Sequence, residues 1–232
     1  VNVSILSQID GKAINKIASN AFRDSDTIKT VTVNNGIASI GNTAFMNCTS
    51  LESIKLPETV AKIGLKAYSG CSSLKRINFP TALTVIDKYA FNECGSLRVC
   101  DLSKTQVTEI GIKAFYRADK MDMIILPKTI SVIDWHAFST SIITETVVVT
   151  DKTQQELNYG GKLAQDTPWY GREVKFTHGI YTIVFHGNGA DSGEMTDQIC
   201  GLNIQSKLDK SAYAKKGYIF SSWNTMPDGS GK

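Results

Sequence analysis

The sequence predicts a mainly β chain, a solenoid of about six short coils followed by a smaller second module. Three observations carry this. An Ala-aromatic pair recurs as Ala21-Phe22, Ala44-Phe45, Ala67-Tyr68, Ala90-Phe91, Ala114-Phe115 and Ala137-Phe138, spaced by 23, 23, 23, 24 and 23 residues. Around each pair the same apolar slots return in step. From about Thr150 that pattern stops and a different one begins at Ile180.

Two coils show the repeat most fully. One reads Ile40-Gly41, Ala44-Phe45, Cys48, Leu51, Ile54, Leu56-Pro57; the next reads Ile63-Gly64, Ala67-Tyr68, Cys71, Leu74, Ile77, Phe79-Pro80. The ending Leu-x-x-Ile-x-Leu alternates, so Ile54 and Leu56 share one face of a short strand. The following Pro ends the ladder. Ile40, Ala44 and Phe45 belong to the return side and fill the interior. A single coil cannot cover both of its faces, so stacked coils must bury a continuous ribbon, with strands about 4.8 Å apart.

These residues resemble the BspA-type leucine-rich repeat of bacterial surface proteins over residues 13 to 150. The resemblance implies a right-handed solenoid. It weakens at both ends, where one face of the stack is uncovered: Thr27-Ile28 stand near the first Leu slot, and Ser141 and Thr144 fall in the sixth Cys and Leu slots. The fourth coil reads Leu102-Ser103 without Pro, and the fifth has Ala118 for Cys.

Cys48, Cys71 and Cys94 are spaced by 23 residues, which marks them as repeat members. Two readings stay open: a ladder of small buried thiols, or a disulfide between neighbouring coils. Five cysteines leave one unpaired in any full pairing, and no Cys-x-x-Cys pair suggests zinc. Cys100 takes the strand's Ile slot and is expected to be buried; Cys200 belongs to the second module.

Residues 151–179 read as a cap and linker. Asp151 suits the N-cap of a short helix ending near Gly160-Gly161. Trp169 and Tyr170 are read as packed on the last coil, with a ligand platform as the other reading.

Over 180–232, the strand Tyr181-Thr182-Ile183-Val184-Phe185 leads to the turn His186-Gly187-Asn188-Gly189. Later come Lys216-Gly217-Tyr218-Ile219-Phe220-Ser221-Ser222-Trp223 and Pro227-Asp228-Gly229-Ser230-Gly231. This resembles the Listeria–Bacteroides repeat of internalin-like proteins, with His186 and Ser222 as departures. The resemblance implies a small β-grasp-like module, cut short at Lys232. Tyr218, Phe220 and Trp223 are read as its core, since so small a domain needs its large aromatics inside. The expected organisation is therefore a solenoid over 1–150, a cap and linker over 151–179, and the module over 180–232.

The composition excludes several functions. A net charge of +3 with both signs interspersed does not suggest nucleic acid. No apolar run approaches the roughly 20 residues that span a bilayer. His136, His178 and His186 stand far apart and outside any metal motif. There is no G-x-S-x-G, H-E-x-x-H or P-loop, so no catalytic, cofactor or metal residue is assigned and no enzyme is expected.

A binding face is better motivated. Residues alternating with the buried strand positions should face outward: Thr30 and Thr32, Ser53 and Lys55, Arg76 and Asn78, Val99 and Asp101, Met123 and Ile125, Thr146 and Val148. The row is polar early and apolar from Val99 onward. The candidate protein-binding face is Lys55, Arg76, Asn78, Val99, Asp101, Met123, Ile125 and Val148. An apolar outward row suggests a contact: either a partner, or the 151–179 segment or second module folding over it. The two resemblances imply noncatalytic recognition at a bacterial cell surface, with a host or bacterial protein as partner and a glycan as the alternative ligand. A spacer role, or that of a carbohydrate-binding or enzyme-associated module, stays open beside it.

Overall fold

The computed structural model describes residues 1–140, 144–150, 158–159, 172–177, 180–183, 185, 190–195, 198–201, 208–219 and 222. The chain opens with β1 (Asn2–Ile5), a hairpin of β2 (Gln8–Ile9) and β3 (Lys12–Ala13), and β4 (Lys16–Ile17). Two kinds of strand then alternate, a front strand and a back strand in each coil. They are β5 (Thr30–Val33) and β6 (Ser39–Ile40), β7 (Ser53–Lys55) and β8 (Lys62–Ile63), β9 (Arg76–Ile77) and β10 (Val85–Ile86). Then follow β11 (Val99–Asp101) and β12 (Glu109–Ile110), β13 (Met123–Ile125) and β14 (Val132–Ile133), β15 (Thr144–Val149) and β16 (Asn158–Tyr159), and β17 (Arg172–Thr177). The result is a mainly β, right-handed leucine-rich-repeat solenoid of about six turns.

The back strands form one continuous sheet, in the order β16-β14-β12-β10-β8-β6-β4. The front strands do not. They form two sheets, β1-β5-β7-β9 and β11-β13-β15-β17, with a break between the third and fourth coils. The register explains the burial. Val31, Ile54 and Ile77 stand in line on the inner side, as do Cys100, Ile124 and Val148 beyond the break.

The aromatic slots hold the coils together across that break. Phe22, Phe45, Tyr68, Phe91, Phe115 and Phe138 stack in one file, with ring centroids 5.0–5.3 Å apart and planes within 11°. That is offset-stacked geometry. All but Phe22, at the end of the file, are fully buried. Phe79, which replaces the aliphatic residue of the other coils, turns its edge to Phe91 at 5.6 Å and Phe115 at 6.3 Å.

The turn beside each aromatic is tight enough to need left-handed backbone. Asn20, Thr43, Lys66, Tyr89, Lys113 and His136 all have φ between 53° and 63°. A second left-handed file follows at Asp24, Asn47, Gly70, Glu93 and Arg117. The glycine of the Ile-Gly pair has another cause: a Cβ on Gly41 would lie 2.6 Å from the backbone nitrogen of Ser19 in the previous coil.

The fourth coil carries one extra residue. Phe79 to Leu102 spans the ordinary 23 positions, whereas Leu83 to Val107 spans 24, so the insertion lies just after Leu102. This is the coil without Pro. The Asp101 carboxylate closes the turn instead, accepting from the Ser103 N–H at 3.0 Å and the Ser103 hydroxyl at 2.6 Å.

The chain divides into two compact units, Val1–Phe176 and Thr177–Lys232. In the second, β18 (Ile180–Ile183) pairs antiparallel with β19 (Gln198–Gly201), and the Tyr213 hydroxyl donates to the Phe185 carbonyl at 2.9 Å. Tyr218 departs from its expected core role. It is 72% exposed, and the Lys215 ammonium stands 5.2 Å from its ring. A turn at Lys216-Gly217, closed by the Tyr218 N–H on the Lys215 carbonyl at 3.0 Å, turns that ring toward solvent and the lysine. Phe220, Trp223, Trp169, Tyr170 and the Asp151 cap lie outside the described residues.

Candidate functional site

The two front sheets differ in access at the positions that strand alternation places outward. In the first half Thr30, Ser53 and Arg76 stand in register, as do Thr32 and Lys55. Lys55, Arg76 and Asn78 are exposed. In the second half Val99 and Asp101 are half-buried, while Met123 and Ile125 are 5% and 3% exposed. The apolar outward positions are therefore covered. Neither Met123 nor Ile125 belongs to the solenoid's own core cluster, which takes Ile124 between them.

Val148 is a correction. It pairs with Ile124 and is fully buried in the core, so it faces inward. The partners of Met123 and Ile125 are Val147 and Val149. The strand sits 24 positions after β13, one more than the aromatic spacing of 23 between Phe115 and Phe138. A one-residue slip moves every side chain to the opposite face. Thr146 is likewise buried, its hydroxyl donating to the Met121 carbonyl at 3.1 Å.

Asn78 is exposed but occupied. Its amide donates to the Leu56 carbonyl and accepts from the Leu56 N–H, both at 2.8 Å. The side chain thus continues the ladder where β9 ends. Asp101 is committed to the Ser103 turn. Lys75 pairs with Glu52 at 2.9 Å and Arg98 with Asp122 at 2.6 Å. The Lys75 hydrogen bond and charge hold the Glu52 carboxyl below its usual range. Lys55 and Arg76 make no direct ion pair among the described residues, so two adjacent strands offer exposed cations, with the Arg76 charge also helping to lower Glu52. Beside Lys55 opens a cleft of about 470 Å³, lined by Ser7, Thr32, Val33, Asn34, Asn35, Lys55, Leu56 and Pro57. Its hydroxyls, amides and ammonium can donate to carbonyl or carboxylate oxygens. The sequence pattern does not announce this cleft, because Ser7 reaches it from ahead of the first repeat.

The thiols form the buried ladder. Cys48, Cys71 and Cys94 are free, and each donates to the carbonyl of the aromatic in the preceding coil: Phe22 at 3.1 Å, Phe45 at 3.0 Å and Tyr68 at 3.2 Å. Cys100 and Cys200 are free and buried too. The neighbouring Cys48 thiol and burial push Cys71 well up, and burial does the same to Cys94 and Cys100. Such thiols are poor nucleophiles. Among the described residues no group of three His, Cys, Asp or Glu side chains is arranged to hold a metal ion. His136 sits half-buried on a turn between Trp135 and Tyr116; His178 and His186 lie outside the described residues.

The BspA type leucine rich repeat family matches residues 15–144 in six copies. The chain belongs to this family. Among solved structures it is similar to the T. pallidum leucine rich repeat protein TpLRR, at 28% identity and TM-score 0.53, over 75% of this chain and 72% of that one. It is also similar to a leucine rich cell surface protein from Faecalibacterium prausnitzii A2-165, at 22% identity and TM-score 0.54, over 69% of this chain and 48% of that one. A third is the pneumococcal vaccine antigen PcpA, at 16% identity and TM-score 0.50, over 76% of this chain and 50% of that one. The last two likenesses concern the fold alone. No curated protein matches the sequence significantly. No helix among the described residues is long and apolar enough to cross a membrane.

Proposed function

We propose that this BspA-type chain is a noncatalytic recognition module of an extracellular bacterial surface protein, and that it binds a protein partner through the polar half of its front sheet. The observation that carries this reading is the pair of exposed cations, Lys55 and Arg76, on adjacent strands, with an open cleft beside Lys55. Solenoids commonly use an extended sheet face in this way. Rim charges of this kind steer association and select acidic partners. The cell-surface setting rests on the family and on the printed description of the Faecalibacterium protein. In this reading residues 180–232 are a Listeria–Bacteroides module that holds the solenoid away from the wall.

The test is a panel of host extracellular and bacterial surface proteins, run beside a glycan array, with the wild-type chain and a Lys55→Glu/Arg76→Glu variant. Binding to a protein that falls at least about tenfold in the variant supports the reading. Protein binding that survives both charge reversals overturns the face. Silence from the whole panel leaves a spacer role.

A further inference from the structure

A second surface lies on the turns that follow the back strands β8, β10, β12 and β14, in coils three to six. There the left-handed positions carry Lys66, Tyr89, Lys113 and His136, with Tyr116 and Trp135 beside them. The Lys113 ammonium is pinned between two rings, 5.1 Å from the centroid of Tyr116 and 4.9 Å from that of Trp135. Lys66 stands 5.5 Å from Tyr89. Neither ammonium has an ion pair among the described residues.

Coil stacking does not require these residues. In coils one and two the same positions hold Asn20 and Thr43, clipped together by a hydrogen bond of 2.6 Å from the Thr43 hydroxyl to the Asn20 amide oxygen. Left-handed backbone costs Thr43 as it costs Lys66, Tyr89 and Lys113, so strain does not set the residue type along this file. From coil three onward the file carries half-exposed rings with ammonium groups against them.

The geometry points to this ridge as a binding surface for a carboxylated sugar, a pyranose face stacking on Trp135 or Tyr116 and its carboxylate meeting Lys113. Half-exposed indole and phenol rings suit the apolar face of a sugar ring, and the uncompensated ammonium supplies the complementary charge. An acidic peptide fits less well. The ridge's backbone donors are already used coil to coil: Lys66 N–H on Lys88, Tyr89 N–H on Ile112 and Lys113 N–H on Trp135 carbonyls. No edge remains there for a peptide main chain to join.

The experiment is isothermal titration of the full chain with oligogalacturonate, its methyl ester, sialyllactose and a poly-glutamate peptide. Binding of oligogalacturonate or sialyllactose is expected, and whichever binds identifies the acidic sugar. Lys113→Gln is expected to weaken it about tenfold, as is methyl esterification for the uronate, while Lys12→Gln, an exposed residue of β3, leaves it unchanged. Trp135→Ala should abolish it; should that variant fold poorly by circular dichroism, Lys113→Gln decides. Absence of binding by both acidic sugars, equal binding of poly-glutamate, or no effect of Lys113→Gln overturns the proposal. Because Lys113 and Trp135 belong to no front strand, this outcome is separate from that of the front-strand test.

Discussion

The Asn78 side chain pairs with the backbone of Leu56 as if it were a strand, donating to its carbonyl and accepting from its N–H at 2.8 Å each. Two hydrogen bonds to main-chain groups at the break in the front sheet make it a structural residue. Asn78→Ala should therefore lower unfolding stability by about 1–3 kcal/mol, since it leaves both Leu56 groups unpaired. Asn78→Asp keeps the acceptor but loses the donor and should also destabilise. Arg76→Ala, exposed and unpaired, should stay within about 0.5 kcal/mol. Urea denaturation of the three variants checks this ordering.

Asn78 also marks where sequence reasoning stops. Strand alternation placed it outward correctly, but an outward amide can face a ligand or fold back onto the next strand, and the pattern is the same. Val148 was misplaced for another reason. Val147, Val148 and Val149 are identical in type, so alternation has no contrast there, and the coil is one residue longer than the aromatic spacing suggests. By contrast the aromatic file is legible, because burial keeps a large ring in that slot of all six coils; the thiols recur in only three coils, and their spacing fits a ladder and a disulfide alike. The break between β9 and β11 has no compositional mark at all.

Tyr68 is the one hydroxyl in an otherwise hydrocarbon file. It is fully buried and its hydroxyl has no hydrogen-bond partner. The neighbouring slots accept Phe with the same stacking. Tyr68→Phe should stabilise the solenoid by about 1 kcal/mol by removing an unsatisfied buried group. Thermal unfolding should show a raised midpoint; a lowered one would mean the hydroxyl is held by something useful.

The buried thiols give a pH signature. Burial raises Cys94 and Cys100 in the folded chain, whereas an unfolded thiol ionises near about pH 8.5. Above that pH the unfolded state binds fewer protons than the folded one, so stability falls as pH rises, by up to about 1.4 kcal/mol per thiol per unit. Denaturation midpoints measured from about pH 7.5 to 10 should decline more gently in Cys94→Ala than in the wild type. Under native conditions a thiol reagent should find all five cysteines unreactive, since each is buried and free.

Glu93 holds a left-handed turn position, φ 61°, where the preceding coil has Gly70. Among the described residues its side chain gains an exposed pair with Arg117 at 3.3 Å, a contact worth little. Glu93→Gly should stabilise by about 0.5–1 kcal/mol, because glycine adopts this backbone without the Cβ clash. A loss of stability would show that the Arg117 pair outweighs the strain.

Met123 and Ile125 distinguish a covered face from an open groove. Both point to the outer side of the front sheet, yet both are nearly inaccessible. Serine at either position strips buried apolar contact and leaves a hydroxyl in its place. Met123→Ser and Ile125→Ser should each cost about 2–4 kcal/mol of unfolding free energy. Limited proteolysis of the variants should also become faster, as whatever covers the face loses its hold. If instead unfolding is unchanged and only partner binding falls, the apolar half is the recognition surface and the polar half, with Lys55 and Arg76, is not.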